Sequence, residues 1–296
     1  MRIDSHQHFW KYSAQEYSWI GKGMERLAQD YLPADLEPLA CAAGIGGSVA
    51  VQARQTFEET NWLLDLADRS PLIRGVVGWV DLQSDRVEEQ LQACARRPKC
   101  VGVRHVVQDE PDPRFVLQEK FVRGLKHLHR FSLTYDLLVV PHQLPAALEL
   151  VKKLPEQPFV IDHIAKPQIK AGEIHSWRQD IQAIALQPHV LCKLSGIVTE
   201  AAWYRWKRES FVQYLDVVLA AFGPERLMFG SDWPVCLLAA EYAEVAELAQ
   251  DFLARLSFSE QAEVWGGTAT RFYRLPPVAV GDSTELSDAF TIAEKN

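Results

Sequence analysis

The chain opens with two histidines two residues apart, in Ile3-Asp4-Ser5-His6-Gln7-His8-Phe9-Trp10. The stretch reads as a strand. Side chains two apart on a strand share a face, so Asp4, His6 and His8 are expected to point the same way. Two imidazoles side by side supply half the donors of a divalent-metal site. The spacing alone decides little, because a second pair, His127-Leu128-His129, lies in a stretch of helical periodicity, where residues two apart diverge. The first pair gains weight from other reactive residues at comparable places. His163 ends an apolar run, Asp232 ends another, Arg104 and His105 close a third, and His142 follows a fourth. Three histidines and a carboxylate suit a borderline ion such as zinc, with one position open for water. Such a metal would acidify the water and polarise a carbonyl, and Asp232 would serve as general base.

The elements that must bring these residues together are legible as a repeat of strand and helix. Apolar runs at 3–10, 47–54, 75–82, 100–107, 133–141, 159–166, 190–197 and 227–234 are each followed by an amphipathic or polar stretch. Thr56-Phe57-Glu58-Glu59 is a capping box that starts one of the helices. Near-continuous apolar strands alternating with amphipathic helices imply a parallel sheet covered on both faces. Eight such units predict an α/β fold, a single closed (β/α)8 TIM barrel, over residues 1–275. An open doubly wound sheet is the competing fold, but the first strand lacks its Gly-x-Gly-x-x-Gly turn. A barrel carries its reactive groups at the C-terminal ends of its strands. Residues 11–30, straight after the histidines, are a candidate wall or lid. A further helix over 259–273 closes the barrel, and 276–296 reads as a flexible C-terminal tail.

Composition narrows the class. A hydrophobic content of 48% and a charged content of 24% over 296 residues are those of a soluble globular chain. A net charge of −8 without a basic run argues against nucleic acid as a partner. No apolar run reaches membrane-spanning length. The five cysteines form no C-x-x-C pair and are odd in number, which fits free thiols in a reducing compartment; with no signal-peptide pattern at the start, a cytoplasmic location is expected.

Several segments together resemble the amidohydrolase superfamily, in its branch of metal-dependent barrel hydrolases that includes sugar-acid lactonases. They are Asp4-Ser5-His6-Gln7-His8-Phe9-Trp10, Gly78-Trp79-Val80-Asp81-Leu82, Gly102-Val103-Arg104-His105, Ile161-Asp162-His163-Ile164-Ala165-Lys166-Pro167, Cys192-Lys193-Leu194-Ser195-Gly196 and Phe229-Gly230-Ser231-Asp232-Trp233-Pro234. The resemblance implies a hydrolase that opens a sugar-derived lactone, such as the aldonolactone of a deoxy sugar. Its metal ligands would be His6, His8, His163 and Asp232, holding one divalent ion, zinc by preference. Asp232, His163 and His105 would be catalytic. Arg104, His105, His142, Trp10 and Trp233 would bind substrate. Some members of the branch work without metal, and there Arg104, His105 and His163 would polarise the carbonyl directly. The partner expected is a small-molecule sugar lactone, and a homodimer is compatible with the reading. Decarboxylation or hydration of a small carboxylic acid, or ligand binding without catalysis, are the alternatives.

Overall fold

Strands buried on both faces can stay apolar along their whole length, and the eight runs fold in that way. The computed structural model describes residues 1–276. Its strands are β1 (Arg2–Gln7), β2 (Ile45–Val51), β3 (Ile73–Gly78), β4 (Cys100–His105), β5 (Thr134–Leu137), β6 (Phe159–Ile161), β7 (Val190–Leu194) and β8 (Leu227–Phe229). They pair in parallel and in sequence order. Eight helices cover them outside: α1 (Pro33–Ala42), α2 (Phe57–Arg69), α3 (Val87–Ala95), α4 (Glu119–Leu128), α5 (Leu144–Lys153), α6 (His175–Ala185), α7 (Glu209–Phe222) and α8 (Tyr242–Leu253). This is a (β/α)8 barrel.

The seam between the two ends of the sheet sits beside the opening histidines. Gln7 bridges Trp233 in parallel fashion. The Asp232 amide donates to the His6 carbonyl at 2.8 Å, and the His8 amide donates to the Trp233 carbonyl at 2.7 Å. Asp4 fastens the same seam: its Oδ1 accepts from the Ser231 amide at 2.9 Å, and its Oδ2 accepts from the Tyr242 hydroxyl at 3.2 Å. The expected common face of Asp4, His6 and His8 therefore holds only for the two histidines. A register shift between Asp4 and Gln7 breaks the alternation.

Two apolar clusters hold the fold. The larger lies between strands and helices. The smaller contains Ile3, Val49, Val77, Val101, Val160 and Met228, from six strands, and fills the barrel's interior toward the N-terminal ends of the strands. Ala269, Tyr273 and Leu275 join it from the end of the described chain and plug that end. The helix expected over 259–273 is interrupted. Phe258–Ala262 and Thr268–Phe272 are separated by a widened turn, Glu263–Gly267, in which Gly266 packs so tightly on Met1 that a Cβ would stand 2.3 Å from its carbonyl oxygen. The tail expected from 276 onward lies outside the described residues. All five cysteines are free. Among the described residues no helix is long and apolar enough to cross a membrane.

Candidate active site

Above the apolar plug the barrel interior turns charged. Lys193 on β7 is fully buried, with Nζ 2.5 Å from Asp136 Oδ2 on β5 and 3.1 Å from Asp162 Oδ1. The Tyr273 hydroxyl, rising from the plug, donates to Asp136 Oδ2 at 2.8 Å. Arg104 on β4 donates through Nη1 to Asp162 Oδ2 at 3.0 Å, and through Nη2 to the carbonyl and side-chain oxygens of Gln52 at 2.5 and 2.8 Å. Each charge has an opposite partner, which is the condition under which ions tolerate burial.

His6 rests on this layer. Its Nδ1 lies 3.1 Å from Lys193 Nζ and 3.3 Å from Asp162 Oδ1. His8 Nδ1 donates to the Val51 carbonyl at 2.8 Å, which fixes its tautomer and leaves Nε2 as a free lone pair. His163 Nδ1 is held by Ser195 Oγ at 2.9 Å. The three Nε2 atoms converge on one carboxylate oxygen: Asp232 Oδ1 is 3.9 Å from His6, 3.3 Å from His8 and 3.9 Å from His163.

His163 and Asp232 reach this point through unusual backbone. After β6, His163, Ile164, Ala165 and Lys166 all take left-handed conformations, with φ of 54°, 48°, 59° and 49°, and Asp232 has φ of 59°. Each such non-glycine residue costs about 1–2 kcal/mol. The turn is fixed by a bond from Trp177 Nε1 to the Ile164 carbonyl at 2.7 Å and one from the Lys166 amide to the His163 carbonyl at 2.8 Å. It breaks strand alternation, so that neighbours Asp162 and His163 both point inward. Gly196, at φ +62°, leaves room for the His163 ring.

Electrostatics prepare the cluster for a cation. Burial drives the His163 imidazole down to about 4 and the His6 imidazole well below its ordinary range, so both are neutral near pH 7. Burial alone would raise the Asp232 carboxyl. The three imidazoles around it, His163 first and then His8 and His6, outweigh that and hold it below the usual carboxylate range. The donor set is thus three imidazoles, two of them held neutral by burial, with one anion. Donors bound tetrahedrally to zinc at 2.0–2.2 Å stand roughly 3.3–3.5 Å apart, close to the spacing from Asp232 found here. The residues fit a divalent metal.

The cluster lies at the floor of a cavity of about 850 Å³ whose wall includes Trp10, Trp19, Arg54, Lys166 and Glu200. Trp19 and Glu16 from the 11–30 segment belong to that wall, as expected of it.

A family model described as amidohydrolase matches residues 3–275. The chain belongs to the amidohydrolase family. It is 47% identical to an L-fucono-1,5-lactonase of Burkholderia multivorans, over 94% of this chain and 98% of the relative. It is 36% identical to a second L-fucono-1,5-lactonase, from Burkholderia ambifaria, over 93% and 96%. Among solved structures, an amidohydrolase from Burkholderia multivorans with bound zinc superposes with a TM-score of 0.89 at 48% identity, covering 93% of this chain and 100% of that one.

In this amidohydrolase the expected residues divide. His6, His8, His163, Asp232 and Arg104 are gathered at one floor, and Trp10 lines the cavity above them. His105 is not brought there. It follows Arg104 on the strand and so faces outward, stacked on Phe115 at 5.0 Å, with Nε2 2.7 Å from Glu110. His142 sits in the turn Pro141–Gln143 and does not line the cavity. Trp233 is buried against Phe9 and Tyr31. These three placements correct the expected substrate-binding set, and His105 leaves the expected catalytic set as well. Asp162, which supports His6 and Arg104, is not marked as a site residue by the sequence. Its only signal is a carboxylate directly before a rim histidine, and strand alternation argues against it.

Proposed function

We propose that this amidohydrolase opens sugar-derived lactones to the corresponding acids, with lactones of the L-fucono-1,5 type as its substrate class. The observation that carries the reading is Asp232, a buried carboxylate kept ionised among three imidazoles at a cavity floor. Water attack on an ester carbonyl needs such a base. The names of the near-full-length relatives support the substrate class.

His6, His8, His163 and Asp232 would hold one divalent ion, zinc by preference, which when bound supplies carbonyl polarisation and a more acidic water. Asp232 accepts the proton of the attacking water as the oxygen–carbon bond forms. It returns that proton to the ring oxygen as the ester carbon–oxygen bond breaks, and the product leaves as an open-chain hydroxy acid. Arg104 places a fixed positive charge 3.3 Å from His6 Nε2, where it favours negative charge developing on the carbonyl oxygen. Ser195, Val51 and Asp162 hold the three rings in their orientations. Trp10 supplies an aromatic wall. The buried free cysteines support a reducing, cytoplasmic setting.

The test is a panel of hydroxylated and plain lactones assayed by a pH indicator, with and without a chelator. Acid release from hydroxylated lactones, reduced by chelation and restored by zinc, is the expected result. Acid release from none of them would sink the reading.

A further inference from the structure

The cavity wall carries a cation that the chemistry above does not use. Arg54 lies in the loop between β2 and α2 and shares the cavity with His8 and Asp232. The nearer cation, Arg104, has donors committed to Gln52 and Asp162. Arg54 is differently placed. Its Nη1 meets Glu16 Oε1 at 2.5 Å, its guanidinium lies 5.4 Å from the Tyr17 ring centroid, and its buried Nε faces Glu59 Oε1 at 3.9 Å, too far for a hydrogen bond. A guanidinium carries five N–H donors in a rigid plane; with Nη1 turned to Glu16 and Nε toward Glu59, the two donors of Nη2 remain to meet oxygen atoms in the cavity.

The backbone under Arg54 is pinned from below. Glu59, on the first turn of α2, is fully buried. Its Oε2 accepts from the amides of Ala53 and Arg54 at 3.0 and 2.7 Å, and its Oε1 accepts from the Tyr17 hydroxyl at 3.4 Å. One buried carboxylate thereby ties together the two loops that bring Glu16 and Arg54 to the cavity. A surface loop rarely receives that much internal support unless the position of what it carries matters.

We propose that Arg54 is a specificity residue that recognises the hydroxyl groups of the lactone, and that Glu59 is the positioning residue that aims it. The proposal rests on the lactonase reading. A site built to hydrogen-bond substrate hydroxyls discriminates against an analogue lacking them, because its polar groups are then left unpaired. The readout is therefore a ratio: kcat/KM for a hydroxylated deoxyaldonolactone divided by kcat/KM for unsubstituted δ-valerolactone.

The experiment measures that ratio in the zinc-loaded wild type and in Arg54→Ala, Arg54→Lys and Glu59→Gln. Arg54→Ala is expected to lower it at least about tenfold, chiefly through KM for the hydroxylated lactone, with Arg54→Lys intermediate. Glu59→Gln is expected to lower it in the same direction. A Glu59 that only stabilised the loop would lower the melting temperature and slow both lactones alike, leaving the ratio unchanged. A ratio within about threefold of wild type in both Arg54 variants overturns the proposal. If the wild type hydrolyses neither lactone, the lactonase reading has failed. Arg54 is then judged by calorimetric titration with a deoxyaldonate salt. Binding by the wild type that weakens at least about tenfold in Arg54→Ala supports the role, and equal binding, or none by the wild type, overturns it.

Discussion

Gly196 lies so close to the imidazole of His163 that a Cβ on it would stand 2.4 Å from Nδ1. The same glycine has φ +62°, so a side chain there meets both backbone strain and the His163 ring. Gly172 isolates the first effect: it has φ +71°, and a Cβ added to it would have no atom within 4 Å. Gly196→Ala and Gly172→Ala should each lose about 1 kcal/mol to strain. Only Gly196→Ala should also lose at least about tenfold in kcat/KM, because a displaced ring misplaces the reacting groups. Parallel melts, kinetics and zinc content check this. Equal activity in the two variants would show that the site does not depend on the pose of His163.

Asp232→Asn removes the proposed base and keeps the shape. Turnover should fall by about 10²–10⁴, with the melting temperature little changed. Retention of a tenth or more of wild-type kcat on the best lactone would exclude Asp232 as the base.

His105 and His163 make a contrasting pair, since one faces Phe115 and the other faces Asp232. His163→Leu should cost at least about a hundredfold in kcat/KM, whereas His105→Leu should stay within about threefold. His105→Leu should instead lose about 1 kcal/mol of stability with its bond to Glu110. Steady-state kinetics and urea melts on the two variants separate these roles.

Lys193→Met leaves Asp136 and Asp162 facing each other without their shared cation. Breaking a buried ion pair on one side costs about 3–5 kcal/mol, and the midpoint of urea unfolding should fall accordingly at constant slope. A loss below about 1 kcal/mol would mean that the cluster contributes little to the fold.

Glu59 gives a pH signature. Burial pushes its carboxyl up to about 7, against the lowering effect of the two amides and of Arg54 and Arg104. The folded state therefore holds this proton more tightly than the unfolded chain does. The stability it contributes is complete below the ordinary glutamate range and is lost as pH rises through about 7. Glu59→Gln should remove that decline, so the stability difference between variant and wild type should move in the variant's favour from acid toward mildly alkaline pH. Chemical denaturation at several pH values checks the sign. A shift in the opposite direction would falsify the assignment.

The barrel is legible because eight apolar runs alternate with amphipathic stretches, and a closed parallel sheet is the arrangement that buries both faces of every strand. His6, His8, His163 and Asp232 are legible because strand ends are few and these residues stand at or just beyond them. What escapes the sequence has local physical causes. Strand alternation predicts that Asp162 and His163 diverge, and the left-handed turn at His163 cancels that rule. Asp4 is expected beside His6, and the register shift in β1 sends it to the seam. Arg104 and His105 are both candidates, and alternation admits only the first. Glu59 reads as one letter of a capping box. Its role in holding the Arg54 loop depends on contacts that no local pattern encodes.

The seam between β1 and β8 joins residues far apart in the chain, such as Asp4 and Ser231. The Tyr273 hydroxyl, which completes the charged layer beneath His6, comes later still. During synthesis His6 and His8 leave the ribosome before the rest of the barrel and wait for it before Asp232 and Tyr273 arrive. The centre therefore cannot be completed until translation has reached the end of the barrel. A nascent chain stopped before β8 carries all three imidazoles of the centre and lacks Asp232.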